Sequence, residues 1–160
     1  MRKISGLILI AVLTLPMALL AQAPRETVKV SFSGKSVEIS YGRPALAGRD
    51  MLGRLQAGRP WRMGADSATV LKTEATLDFN GQTVEPGTYQ LLALKTEEGN
   101  WRLLVRSEED RTNLAEVDCQ SSKGDEQVES FTIELHAEGS QGEFKMAWDT
   151  LRVRTTFTAN

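Results

Sequence analysis

Five arginines and no lysine lie in one stretch of the chain, residues 41–69, which we call the arginine loop. They are Arg43, Arg49, Arg54, Arg59 and Arg62, and they are set among five glycines and two prolines. A guanidinium carries a rigid fork of N–H donors that matches a carboxylate or a phosphate, which the ammonium group of lysine does not. The arginine loop is therefore the first place to look for function.

Six residues of the arginine loop form the predicted site: Tyr41, Arg43, Arg49, Trp61, Arg62 and Asp66. In one interpretation, their guanidinium groups and aromatic rings line a pocket for a carboxylate, a phosphate or a sugar. In the other, the arginines bind the loop's own carbonyl groups or nearby acids, because buried irregular backbone must find hydrogen-bond partners. The sequence leaves both interpretations open.

The rest of the chain offers few groups for catalysis. It has a single histidine, His136, and a single cysteine, Cys119, which by parity lies on the apolar face of an alternating segment and is expected to be a buried structural thiol. No multi-histidine zinc pattern, phosphate loop or dinucleotide fingerprint is present, so we predict no metal site and no cofactor. Nothing selects a pair of carboxylates for hydrolysis, and a non-enzymatic role is the preferred interpretation.

The elements that must hold the arginine loop follow a period of two. Val28, Val30 and Phe32 alternate with polar residues, and further alternating segments recur with turn signals such as Asn80-Gly81 between them. This pattern predicts an all-β fold, an antiparallel β-sandwich or jelly roll of about eight or nine strands. One short helix is expected at residues 49–56.

Two further turns are predicted from local sequence. Residues 85–88 have the proline and glycine of a type II turn. The apolar residues around Trp148 and Leu151 change parity, which predicts a hairpin with a two-residue turn at Asp149-Thr150.

The N-terminus predicts export. Arg2 and Lys3 precede an apolar stretch that ends in small residues, which is typical of a signal peptide over residues 1–21, with cleavage after Ala21. Residues 22–160 would then form a single all-β domain without a membrane span, located in the periplasm or secreted. This part contains 17 basic and 21 acidic residues, which argues against nucleic acid as a partner.

Several short motifs resemble one protein family. They are Tyr41-Gly42-Arg43-Pro44, Gly48-Arg49, Trp61-Arg62, Gly64-Ala65-Asp66 and Ala68-Thr69, followed by Pro86-Gly87-Thr88-Tyr89. On these residues the chain, from about Val28 to Phe157, resembles a bacterial group of exported proteins known as domain of unknown function 2911. The resemblance implies a small extracytoplasmic all-β domain and implies no activity. Asparagine is common in that family at the position of Asp66, where this chain has a residue that only accepts hydrogen bonds.

These observations predict an exported binding or interaction module that uses residues 41–69 as its contact surface. Its partner is expected to be a small anionic or carbohydrate ligand, or an envelope protein. Two alternatives stay open: a hydrolase or other enzyme acting on envelope sugars or small anions, and a structural envelope protein whose arginine loop only packs against the sheet.

Overall fold

A computed structural model describes residues 22–160 of the protein. The predicted signal peptide and its cleavage site therefore lie outside the described residues or at their edge. Nowhere in residues 22–160 does the chain form a helix of the length and hydrophobicity needed to span a bilayer.

This part of the chain contains ten strands: β1 (Arg25–Phe32), β2 (Lys35–Gly42), β3 (Pro60–Trp61), β4 (Thr69–Thr73), β5 (Leu77–Phe79), β6 (Gln82–Val84), β7 (Gly87–Lys95), β8 (Trp101–Ser107), β9 (Asn113–Glu138) and β10 (Gln141–Ala159).

The strands form one open antiparallel sheet in the order β1-β2-β4-β7-β8-β9-β10-β5-β6, with β3 paired to β7. The 26-residue strand β9 joins two wings of this sheet, one of β1, β2, β4, β7 and β8 and the other of β10, β5 and β6. It pairs with β8 as far as Cys119 and with β10 from Gln120 onward. Residues of β1 and β2 meet residues of β10 and β9 across one apolar core; Phe32, for example, packs edge-on against Phe157 at 5.8 Å between ring centroids. The predicted antiparallel all-β fold is confirmed.

Local turn chemistry explains the short hairpins. The turn between β1 and β2 places Ser33 and Gly34 at φ 49° and 86°, and the turn between β5 and β6 places Asn80 and Gly81 at φ 59° and 91°. Two successive positive φ values match the right-handed twist of the flanking strands, which is why such dipeptides favour two-residue turns. The hairpin predicted at Asn80-Gly81 is confirmed.

The helix predicted at residues 49–56 is wrong, since no helix forms within residues 22–160. The segment makes isolated turns instead: the amide of Arg54 donates to the carbonyl of Met51 at 3.3 Å, and the amide of Leu55 donates to that of Leu52 at 3.1 Å. The carboxylate of Asp50 accepts a hydrogen bond from the amide of Gly53 at 2.8 Å. Asp50 thereby closes a tight turn that competes with helix formation.

The hairpin predicted at Asp149-Thr150 is also wrong. Residues 141–159 run as one strand, β10, which pairs with β9 from Gln141 to Arg154 and with β5 at Thr158 and Ala159. The parity change has a different cause: the register shifts on both sides of Asp149, which takes φ 50°, so an irregular β-bulge turns the alternation over. Trp148 is buried in the core, and Leu151 is partly buried and packs against the core.

The prediction of a type II turn at residues 85–88 is wrong as well. Gly87 is the first residue of β7 and does not take a positive φ. A Cβ at this position would lie 2.8 Å from the hydroxyl oxygen of Tyr89, whose hydroxyl donates to the carbonyl of Glu85 at 2.7 Å. Glycine at this position therefore leaves room for the Tyr89 hydroxyl, and it is not used for a positive φ.

Candidate functional site

The arginine loop is fastened at its start to strand β9. Ala45 forms an isolated bridge with Ser130, and the amide of Phe131 donates to the carbonyl of Pro44 at 2.9 Å. The amide of Leu46 donates to the carbonyl of Glu129 at 2.8 Å. The irregular backbone thus obtains partners from a regular strand, as buried polar groups must.

The end of the arginine loop lies directly against the end of β2. A Cβ on Gly42 would lie 2.3 Å from the carbonyl oxygen of Ala65, and a Cβ on Gly64 would lie 2.6 Å from that of Gly42. Only glycine permits such a close approach of two backbones. Met63 and Asp66, on either side of this contact, take φ 50° and 62°. Backbone held in this region costs about 1–3 kcal/mol per residue and is concentrated at functional sites.

Two of the arginines are held by the loop itself. Arg49 donates from Nε to the carbonyl of Leu46 and from Nη2 to that of Ala45, both at 2.9 Å. Arg59 donates from Nη1 to the side-chain oxygen of Gln56 at 3.0 Å. These contacts match the structural interpretation of the arginine loop.

Arg43 is held between the two wings of the sheet. Its Nη2 donates to the hydroxyl of Thr132 at 3.2 Å, and its Nε lies 3.3 Å from a carboxylate oxygen of Glu26. The latter contact is an ion pair without hydrogen-bond geometry, because the buried Nε has no hydrogen-bond partner among the described residues. We regard the pair as electrostatic and, with both side chains about two-fifths exposed, as weak.

Arg62 differs from these three arginines. It is exposed, and within residues 22–160 its guanidinium has neither a hydrogen-bond partner nor an ion-pair partner. The same holds for Arg54, which lies outside the cavity described next. Arg62 therefore keeps its whole fork of donors free for a ligand.

A cavity of about 580 Å³ opens beside the arginine loop, and we call it the loop cavity. Its volume is within the range of about 300–1,000 Å³ that is typical of small-molecule sites. Five of the six predicted site residues line it: Arg43, Arg49, Trp61, Arg62 and Asp66. Three arginines against one aspartate make these walls basic in a chain that is acidic overall.

Tyr41, the sixth predicted residue, is not part of this lining. Its side chain is fully buried, and its hydroxyl accepts a hydrogen bond from the amide of Ile133 at 3.1 Å and lies 3.4 Å from the carbonyl of the same residue. Burial raises the pKa of the Tyr41 hydroxyl above its ordinary value. Tyr41 therefore joins β2 to β9 behind the site.

An aromatic wall completes the loop cavity. The rings of Trp61 and Trp148 are stacked, with centroids 5.6 Å apart and an angle of 10° between their planes, and Phe131 meets both edge-on. The Trp148 ring is buried, yet its Nε1 has no hydrogen-bond partner among the described residues. A buried unpaired donor is unfavourable by about 1–3 kcal/mol, so it needs an explanation. Asp149, the next residue, is the site of the β-bulge in β10.

Sequence reasoning missed the cavity residues that lie far from the arginine loop in the chain. Residues 22–24 form part of the wall, and the amide of Ala23 donates to the carboxylate of Asp66 at 3.0 Å. Ser130 and Trp148 contribute from β9 and β10. The alternation around Trp148 marks it as a core residue, and no local signal distinguishes a core residue that also faces a cavity.

Two other cavities are of similar size. One of about 570 Å³ lies along β9 and β10, and one of about 680 Å³ lies between β10, β5 and β9. Arginines are present there too, but Arg152 is bound to three backbone carbonyls and Arg154 is bound to Gln120. Of these three cavities, only the loop cavity is lined by an arginine whose guanidinium has no partner within residues 22–160, so we take it as the candidate site.

Fold and site together define an antiparallel all-β domain with a basic, aromatic cavity beneath an arginine-rich loop. The family described as Protein of unknown function (DUF2911) matches residues 23–157, and the chain belongs to this family. The resemblance seen in the motifs of the arginine loop is thereby confirmed. Neither the curated proteins nor the solved structures give a significant match to the chain.

Proposed function

We propose that the protein is an exported binding module that takes a small anionic or carbohydrate ligand in the loop cavity. One observation carries the proposal: the exposed Arg62, whose guanidinium has no partner within residues 22–160, adjoins the partly exposed Trp61 in the lining of the loop cavity. A free guanidinium fork binds an anion through two parallel hydrogen bonds. The aromatic wall supplies apolar surface for the body of the ligand.

Catalysis receives less support from the same walls. Asp66 is the one carboxylate among the described residues that line the loop cavity, and it already accepts a hydrogen bond from Ala23. Hydrolysis of glycosidic bonds commonly needs two carboxyl groups on opposite sides of the bond. Binding therefore explains the arrangement with fewer additional groups than hydrolysis does.

A thermal-shift screen tests the proposal directly. Residues 22–160 would be melted with single carboxylates, phosphate and acidic sugars, because a ligand at 100 times its Kd stabilises the folded state by about 2.7 kcal/mol. We expect at least one anion to raise the melting temperature of the wild type and of Arg54→Lys, but not that of Arg62→Ala. If Arg62→Ala responds like the wild type, the loop cavity is not the binding site.

Export is the second part of the proposal, and its support is the basic start and the apolar segment of residues 1–21. Mass spectrometry of the protein isolated from an exporting host should find Gln22 at the amino terminus, free or cyclised. A mature protein that retains Met1 would contradict export by cleavage.

A further inference from the structure

The loop cavity has enough distinct walls to indicate what kind of anion it takes. Of its three arginines, Arg49 has two of its three nitrogens engaged by backbone carbonyls, and Arg43 is engaged by Thr132 and Glu26. Arg62 alone offers an unoccupied fork. One fork binds one carboxylate, so the donors provided match a ligand with a single negative charge.

Asp66 also bears on the charge of the ligand. Its carboxylate lines the same cavity as Arg62, and like charges in one site disfavour each other. A second carboxylate on the ligand would meet this repulsion without a second free fork to offset it. The walls therefore hold one carboxylate in a paired fork geometry, and a second carboxylate would gain only unpaired attraction to the basic walls.

The remaining walls suit a ring that carries hydroxyl groups. Met51 and Trp61, both partly exposed, give an apolar side against which the C–H face of a sugar can pack, and the buried ring of Trp148 is stacked on Trp61. Asp66, Ser130 and Gln22 give oxygen and amide groups that can exchange hydrogen bonds with hydroxyls. Acetate has a suitable charge but nothing to place on the apolar side.

We propose that the ligand of the loop cavity is an acidic sugar with one carboxylate, bound by Arg62 through the carboxylate and by the Trp61 wall through the ring. This inference rests on the proposed binding function and narrows it. It assigns two separable roles: Arg62 selects the charge, and Trp61 selects the ring.

The test measures four probes by isothermal titration calorimetry: glucuronate, glucose, acetate and citrate. We expect glucuronate to bind at least about tenfold more tightly than glucose, which lacks the charge, and than acetate, which lacks the ring. Arg62→Lys should remove most of the preference for glucuronate over glucose, because a point charge does not reproduce the fork. Trp61→Leu should remove most of the preference for glucuronate over acetate.

Asp66→Asn is the matched variant for the charge argument, since it keeps the shape and an acceptor oxygen while removing the negative charge. It should tighten citrate binding more than glucuronate binding. Each protein would first be melted to show that it is folded, and Arg54→Lys serves as the control for a lost surface guanidinium.

The outcomes separate the two proposals. If citrate or acetate binds more tightly than glucuronate and Arg62→Lys abolishes that binding, the cavity binds anions but the acidic-sugar inference is overturned. If glucose binds as tightly as glucuronate, the role given to Arg62 is overturned. If none of these probes and none of the screened anions binds, the proposed binding function itself fails.

Discussion

Arg49 and Arg62 are both exposed arginines of the same loop, yet their guanidinium groups have different surroundings. Arg49 donates to two loop carbonyls at 2.9 Å, whereas Arg62 has no partner in residues 22–160. The same substitution at each position should therefore have different effects. Arg49→Lys is expected to weaken the fold, and Arg62→Lys is expected to weaken ligand binding only.

The size of the Arg49 effect follows from its two hydrogen bonds. A lysine can keep at most one of them, and the net contribution of an exposed bond of this type is about 1 kcal/mol. For a domain of this size that loss corresponds to about 4 °C in melting temperature. A surface arginine without partners contributes within about 0.5 kcal/mol, so Arg62→Lys should shift the melting temperature by no more than about 2 °C.

The assay is a set of thermal melts of wild type, Arg49→Lys, Arg62→Lys and Arg54→Lys, the last being an unpartnered arginine outside the loop cavity. Melts followed by circular dichroism in one buffer would resolve differences of this size. If Arg62→Lys lowered the melting temperature as much as Arg49→Lys, Arg62 would be holding the loop and the binding interpretation would lose its main support. If Arg49→Lys had no effect, the two carbonyl bonds would contribute nothing to stability.

Three further predictions concern the frame of the site. Tyr41→Phe removes the buried acceptor of the Ile133 amide and should lower the free energy of unfolding by about 1–3 kcal/mol in urea denaturation, without a change in the secondary structure. Gly42→Ala would place a methyl group 2.3 Å from the carbonyl oxygen of Ala65 and should lower the free energy of unfolding by about 1–3 kcal/mol. An unchanged free energy of unfolding in this variant would contradict the structure. Burial raises the pKa of the Cys119 thiol to about 11, so iodoacetamide should label it slowly at pH 8 unless the chain is unfolded. Because this folded pKa lies above the unfolded value, the associated stability is present below about pH 8.5 and declines as the pH rises toward 11.

The parts of the fold that the sequence predicted are those determined by neighbouring residues. Asn80-Gly81 needs only its own backbone preferences to make a tight turn, and the prediction is confirmed. The bulge at Asp149 could not be found in this way, because a hairpin and a bulge both reverse the parity of the alternation. What decides between them is the long partner strand β9, which pairs on both sides of Asp149.

The same distinction applies to the candidate site. Arg49, Trp61 and Arg62 lie close together in the chain, so a compact loop brings them to one cavity, as the structure shows. Tyr41 belongs to the same stretch of sequence, but its side chain is buried and its hydroxyl is hydrogen-bonded to the backbone of Ile133. Trp148 lies 87 residues after Trp61 in the chain, and only the fold stacks the two rings.

The residues that line the loop cavity are far apart in the sequence, and this separation determines at which stage of folding the cavity can form. Pro24 and Trp148 line it together, and Tyr41 bonds Ile133 across 92 residues behind it. Contacts of such long range are costly in chain entropy and form slowly. A chain emerging from synthesis cannot build the cavity until β10 has paired with β9. Under the proposed binding function, a ligand in the loop cavity would stabilise the completed molecule over every shorter or partly folded form.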